Sequence, residues 1–307
     1  MAAKPHDPPL TALLPSWALS LSERDLSVRT QEIYARTGQL FTAWLAAGGH
    51  PDTVNTIGAP EIRAFLAAET KRTSAVSSHQ HYRNLRTMFR WLVREGERTE
   101  ADPMTRVDPP KVTEKVKGIL DESDLRMLLK ACEGQDFEDR RDTALVRVLI
   151  DTGIRVSGLA GLRMEHVDLP RKLLLVTLKG GDEHLVPVGR KAAYALDRYL
   201  RVRARHAKAD SPWLWLGTRG HDTARLGVAG VQHVLRRRGE AAGIGRVNPH
   251  AFRRTAAHMM LAAGMQEREV MSVAGWKTPE MVNRYAGALA AERARQAHAR
   301  LAPGDRL

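Results

Sequence analysis

The sequence predicts a mainly α protein of the α+β class, with a helical amino domain and a mostly helical carboxyl domain that carries a small antiparallel sheet. Three observations carry this. Apolar residues recur at helical spacing through most of the chain. The exception is RKLLLVTLKGGDEHLVPV (171–188), where two β-rich runs flank Gly180, Gly181 and Asp182 as a hairpin would. Between the halves, TEADPMTRVDPPKVTEKVKG (99–118) has three prolines and no apolar periodicity, which marks an extended linker.

Each element follows from local chemistry. Residues 1–15 read as a proline-rich disordered tail, and residues 16–98 as the amino domain. Within it, SVRTQEIYARTGQLFTAWLAAGG is a helix capped by Ser27 and stopped by Gly48 and Gly49. APEIRAFLAAETKR starts a second helix at Pro60, and SAVSSHQHYRNLRTMFRWLVREG a third that ends at Gly96. The linker covers 99–117 and the carboxyl domain 118–307. There DESDLRMLLKAC and DFEDRRDTALVRVLIDTG are helices, the second closed by Gly153. After the hairpin come KAAYALDRYLRVRARHA, VAGVQHVLRRRGEAAG and PHAFRRTAAHMMLAAG. A last helix has Thr278 as cap, Pro279 at its first position and Glu280 complementing its dipole, and it leads to Tyr285 and a polar carboxyl tail. There is no repeat of solenoid period and no low-complexity tract.

Composition narrows the partners. A chain of 307 residues accommodates two cores, and 43% hydrophobic with 27% charged residues suits a globular protein. Its net charge of +13 suits a polyanion. The single Cys132 excludes an internal disulfide and a multi-cysteine zinc site, and fits a reducing compartment. The amino end, MAAKPHDPPL, has no signal-peptide core, and no run is long and apolar enough for a bilayer. The expected location is the cytoplasm, without a membrane partner. The histidines of HQH (79–81) are two apart on a helix, off a common face, so no metal site is expected there.

The third helix has two distinct faces. At 100° per residue, Arg83, Arg86, Arg90 and Arg94 fall in a stripe about 80° wide. Tyr82, Leu85, Phe89 and Leu92 lie elsewhere, so one face can pack while the other presents guanidinium groups to the phosphates of a groove. A solvated basic face would show the same pattern.

Six residues of the carboxyl half combine into one chemistry. Asn248 and Pro249 start a helix with His250 in its first turn, where the positive end favours a neutral imidazole. Arg253 follows on the same face. Arg155 comes after a helix stop in DTGIRVSGL, Lys179 lies at the hairpin, and Trp276 precedes the helix of Tyr285. Two arginines can hold nonbridging phosphate oxygens, a lysine can protonate a departing sugar oxygen, and a histidine can deprotonate a nucleophile. An indole N–H adds a donor, and a phenol with a pKa near ~10 becomes useful only in such a cationic setting.

The order Arg155 in TGIR, Lys179 in LKGG, His250 and Arg253 in HAFR, Trp276 in GW and then Tyr285 resembles the tyrosine recombinase (phage integrase) family, in its compact two-domain form. The resemblance runs from about Ser16 to the end. It implies a helical core-binding domain joined to a tyrosine-recombinase catalytic domain. It also implies a site-specific recombinase or integrase that cleaves and rejoins DNA strands through a 3′-phosphotyrosyl intermediate on Tyr285. Arg155 and Arg253 would clamp the phosphate, Lys179 would be the general acid and His250 the general base. Trp276 stands where many relatives carry histidine. No cofactor is implied. The implied partners are double-stranded DNA and three further copies of the chain, with room for an accessory or directionality protein, and the basic tail ERARQAHARL would dock on a neighbouring subunit.

This sequence departs from the family pattern at two positions. Relatives usually have an acidic residue three after the first arginine, thought to support the site from behind; here it is Gly158. Arg254 replaces a frequent histidine, adding charge without removing a catalytic group. The alternatives are a type IB topoisomerase-like strand transferase, distinguished by relaxation without a recombination product, and a catalytically inactive DNA-binding accessory protein. Metal-dependent nucleases need clustered carboxylates, and none is evident near these motifs.

Overall fold

Serine and glycine punctuate the amino half as their chemistry dictates. In the computed structural model, which describes residues 7–24, 26–112, 118–178, 181–218, 225–276, 278, 282, 294–295, 298–300 and 302–306, the Ser27 hydroxyl accepts from Thr30 N at 3.3 Å and opens α2 (Val28–Ala47). Ser74 does the same for α4 (Ala75–Arg94), accepting from Ser77 N at 3.2 Å. Gly49 and Gly96 follow the two helices at positive φ. Between them α3 (Ala59–Arg72) starts with Glu61 accepting from Gly58 N at 2.8 Å.

These helices and α1 (Leu10–Glu23) form the first of two compact units, Met1–Lys115 and Val116–Leu307. Its core gathers Trp17, Leu21, Phe41, Phe65, Leu85 and Phe89. A buried polar cluster also joins α2, α3 and α4. His81 bonds Thr37 at 3.0 Å and faces Glu69 at 3.4 Å, and Asn84 donates to Thr37 at 2.8 Å. Two expectations are corrected here. Residues 10–15 are not a disordered tail but the start of α1. Leu10 N donates to Asp52 O, Val54 N donates to Pro8 O, and the Asp7 carboxylate accepts from Thr53 and Asn55. Nor is 99–110 an extended linker. Pro103–Arg106 forms a 3₁₀ turn whose Met104, with Val107 after it, is buried in the amino core, and His79 donates to Pro110 O at 3.1 Å.

The second unit is built around α6 (Phe137–Thr152), whose Ala144, Leu145, Val148 and Leu149 are fully buried. Packed with it are α5 (Glu122–Ala131), the short α7 (Val156–Ala160), α8 (Arg190–Arg203), α9 (Val228–Ala241), α10 (Pro249–Ala262) and α11 (Glu267–Ala274). The expected hairpin is β2 (Leu173–Thr177) with β3 (Glu183–Pro187), Val176 facing His184, and its turn is closed by Leu178 N donating to Asp182 O at 2.7 Å. Two residues, Val167–Asp168, add β1 to the other edge of β2, giving an antiparallel sheet of order β1-β2-β3. Asp142 is fully buried on α6 and accepts from Arg141, Arg237 and Arg238, which ties α9 down. Burial would raise the adjoining Glu138 carboxyl, but hydrogen bonds from Arg237 and Thr218 outweigh it and bring the pKa to about 2. Among the described residues the protein is mostly helical with one small antiparallel sheet, and no helix is long and apolar enough to cross a membrane.

Candidate active site

Two glycines in the left-handed region shape the site. Gly153 ends α6 at φ 58°, and a Cβ there would lie 2.9 Å from Ala256 Cβ and 3.4 Å from Arg253 Cα. Both the turn and the close approach of α10 therefore require glycine. The chain then reaches Arg155, which is the N-cap of α7 and half-buried. Gly275 ends α11 at φ 62° and turns the chain into Trp276, whose backbone N–H donates to Met271 O at 2.9 Å.

Arg253 gathers these segments. The side chain of Asn248 accepts from Ala251 N at 3.1 Å and starts α10, with Pro249 at the first position. His250 is exposed in the first turn. One position short of a further turn, Arg253 is 4% exposed. Its Nη1 donates to Gly153 O at 2.7 Å and to Ala274 O at 3.2 Å, and the guanidinium lies 4.8 Å from the centre of the Trp276 ring. The accepting carbonyls stand two residues before Arg155 and two before Trp276. One guanidinium thus brings together the helix end before Arg155, the helix that bears His250, and the turn that delivers Trp276. Trp276 packs with Ala257, Leu261, Val270, Ala274 and Val282 in a small apolar cluster of its own.

A narrow cleft beside this junction is lined by Arg155, Ser157, Gly158, Thr177, Leu178, His184 and Ala274. Lys179, one residue after Leu178, lies outside the described residues, and so do Tyr285, Pro279, Glu280 and most of the carboxyl tail. The structure therefore brings Arg155, Arg253 and Trp276 to one junction, with His250 at the head of the same α10.

Sequence reasoning missed His184. Its Nε2 must carry the hydrogen, because it donates to the carbonyl of Ser272 at 2.5 Å and so joins β3 to α11. Its alternation along β3 was the only signal, and that pattern does not distinguish it from a solvent-facing strand residue. Arg254 also has a partner: it donates to Gly118 O at 2.9 Å, while its neighbour Thr255 accepts from Leu120 N at 2.9 Å. Together they fasten the start of the second unit to α10. On α4, Arg83, Arg86, Arg90 and Arg94 are all exposed, opposite buried Leu85, Met88, Phe89 and Leu92, and Arg94 pairs with Glu95 at 2.7 Å.

Residues 119–292 match the phage integrase family, and residues 16–96 match the phage integrase N-terminal SAM-like domain. The chain belongs to the phage integrase family. Like its relatives in this family, the recombinase is an enzyme of site-specific DNA recombination. It is 33% identical over 262 residues to the tyrosine recombinase XerD of Pseudomonas aeruginosa, covering 82% of this chain and 84% of that one. It is 30% identical over 246 residues to the tyrosine recombinase XerC of Corynebacterium efficiens, covering 78% of each. Its fold is that of a lambda integrase dimer solved on a COC′ core site (TM-score 0.75, 18% identity, 91% of this chain and 77% of the other). It is also that of the XerH recombinase in a post-cleavage complex (TM-score 0.72, 15% identity, 92% and 84%).

Proposed function

We propose that this recombinase exchanges strands of duplex DNA through a covalent link to Tyr285, with Arg155, Lys179, His250, Arg253 and Trp276 as the groups that make the phosphate reactive. The phenol oxygen attacks the scissile phosphorus, its proton passes to His250, and the P–O5′ bond breaks as Lys179 gives a proton to the departing oxygen. The products are a 3′-phosphotyrosyl link and a 5′-hydroxyl, and attack by a second 5′-hydroxyl reverses the step on a new strand. Arg155, Arg253 and the Trp276 indole N–H stabilise the charge that builds on the nonbridging oxygens. The observation that carries this reading is the Arg253 junction, which draws three sequence-distant segments to one point.

In this proposal DNA binds both units, and the α4 stripe of Arg83, Arg86, Arg90 and Arg94 meets phosphates. Four subunits pair two sites and pass through a Holliday junction. A lambda integrase tetramer has been solved on such a junction, and that protein has the same fold. The reaction takes place where DNA is, in the cytoplasm, with no cofactor.

The test is a suicide substrate nicked beside the cleavage point. The wild-type chain is expected to become trapped on the 3′ phosphate. Tyr285→Phe, which loses one oxygen, is expected to bind the DNA and form no adduct. An adduct on the phenylalanine variant would assign the nucleophile elsewhere.

A further inference from the structure

Gly158 is buried on α7, three residues after Arg155. A Cβ built on it would lie 2.7 Å from Val176 Cγ1 and 3.5 Å from the carbonyl oxygen of Thr177. Real Cβ atoms do not approach a methyl group so closely, so something would have to move. Val176 is poorly placed to move: it is 1% exposed, branched at Cβ, and held in β2 opposite His184. Movement of α7 is also restrained. The Trp215 indole N–H donates to Leu159 O at 2.9 Å, and, just past the helix, Leu214 N donates to Leu162 O at 2.9 Å. The sheet is anchored in turn by His184, which holds β3 to Ser272.

The bare α-carbon of Gly158 therefore sets how near α7 comes to β2. Arg155 opens α7, Thr177 closes β2, and Lys179 follows Thr177 by two residues. We propose that Gly158 is a positioning residue, which fixes by direct backbone contact the spacing between the Arg155 end of α7 and the strand that leads to Lys179. At this position the family resemblance leads one to expect a carboxylate, but here there is no room for a first side-chain carbon. Contact between helix and strand takes the place of a charged brace. The inference rests on reading Lys179 as the general acid.

The experiment measures single-turnover adduct formation by the full chain on the nicked substrate. It compares a normal bridging 5′ oxygen with a bridging 5′ sulfur, which leaves as a thiolate and needs no proton. Gly158→Ala is expected to bind DNA as the wild type does and to cleave the oxygen substrate roughly 10- to 100-fold more slowly, the effect of misplacing a reacting group by up to about 1 Å. Two rescues are expected. Val176→Ala removes the obstructing methyl, so the double variant recovers rate, and the sulfur substrate restores Gly158→Ala as it restores Lys179→Ala. A Gly158→Ala chain that cleaves at the wild-type rate overturns the proposal. So does a loss that neither rescue relieves, which is the mark of general unfolding. If sulfur fails to restore Lys179→Ala, the general-acid assignment falls. The role of Gly158 is then judged by the Val176→Ala rescue together with the split between rate and affinity.

Discussion

At 4% exposure, Arg253 is nearly sealed from solvent, with two carbonyls and the face of an indole among its partners. Arg155, at the cap of α7, is only half-buried. The two arginines are proposed for the same task, yet their removal should look different. Arg253→Ala leaves the carbonyls of Gly153 and Ala274 without this donor in a buried junction, and is expected to cost about 2 kcal/mol of stability as well as cleavage. Arg155→Ala should abolish cleavage and lower the melting temperature by less, because that side chain is only half-buried. Thermal melts beside adduct formation on the nicked substrate check this, and equal melting losses would contradict it. The spacing of HAFR was legible in the sequence, because helix geometry alone puts His250 and Arg253 on one face. The depth of Arg253 was not, since it depends on Gly153 and Ala274 arriving from 100 and 21 residues away.

Helices with a good cap and a good stop were legible as units. Ser27, Ser74 and Asn248 each accept a backbone N–H where the sequence places them, and Gly153 turns the chain out of α6. Three elements that escaped notice lack one of these signals, whereas α11, which has a capping box and the Gly275 stop, escaped because it is only 8 residues long. In α1, Pro15 sits inside the helix; the distant pairing of Pro8 and Asp7 with residues 53–55 holds its start, and core packing holds Leu10, Trp17 and Leu21. Neither α7, of 5 residues, nor β1, of 2, is long enough to show a period. The α4 stripe carries its own prediction. Single changes of Arg83, Arg86 or Arg90 to Ala should each lower the salt dependence of DNA affinity by roughly one unit and leave melting nearly unchanged. Arg94 is already engaged by Glu95 and should contribute less. Affinity titrations across salt concentration on one DNA site decide it, and unchanged slopes in all four variants would assign the stripe to solvent.

For the whole molecule, the proposed reaction exchanges one phosphoester for another, so it consumes no bond energy and calls for no nucleotide. In that proposal positive side chains do the work that a metal does in other strand-cutting enzymes. Recombination between two sites is therefore expected to proceed in EDTA and without ATP, scored by the appearance of recombinant DNA. Abolition by the chelator with recovery on added magnesium would count against the assignment of the six residues.

The helix crossing at Gly153 constrains how the chain can change over generations. A replacement at Gly158 has an exit, because a smaller residue at 176 opens space for it, so that pair can drift in two steps. At Gly153 a second step relieves only the steric part of the obstacle. If α10 gave up Ala256 for glycine, the Arg253 α-carbon at 3.4 Å would make only ordinary contact with a new Cβ, but the backbone would still stand at φ 58°. Two independent barriers, one steric and one torsional, meet at a single codon.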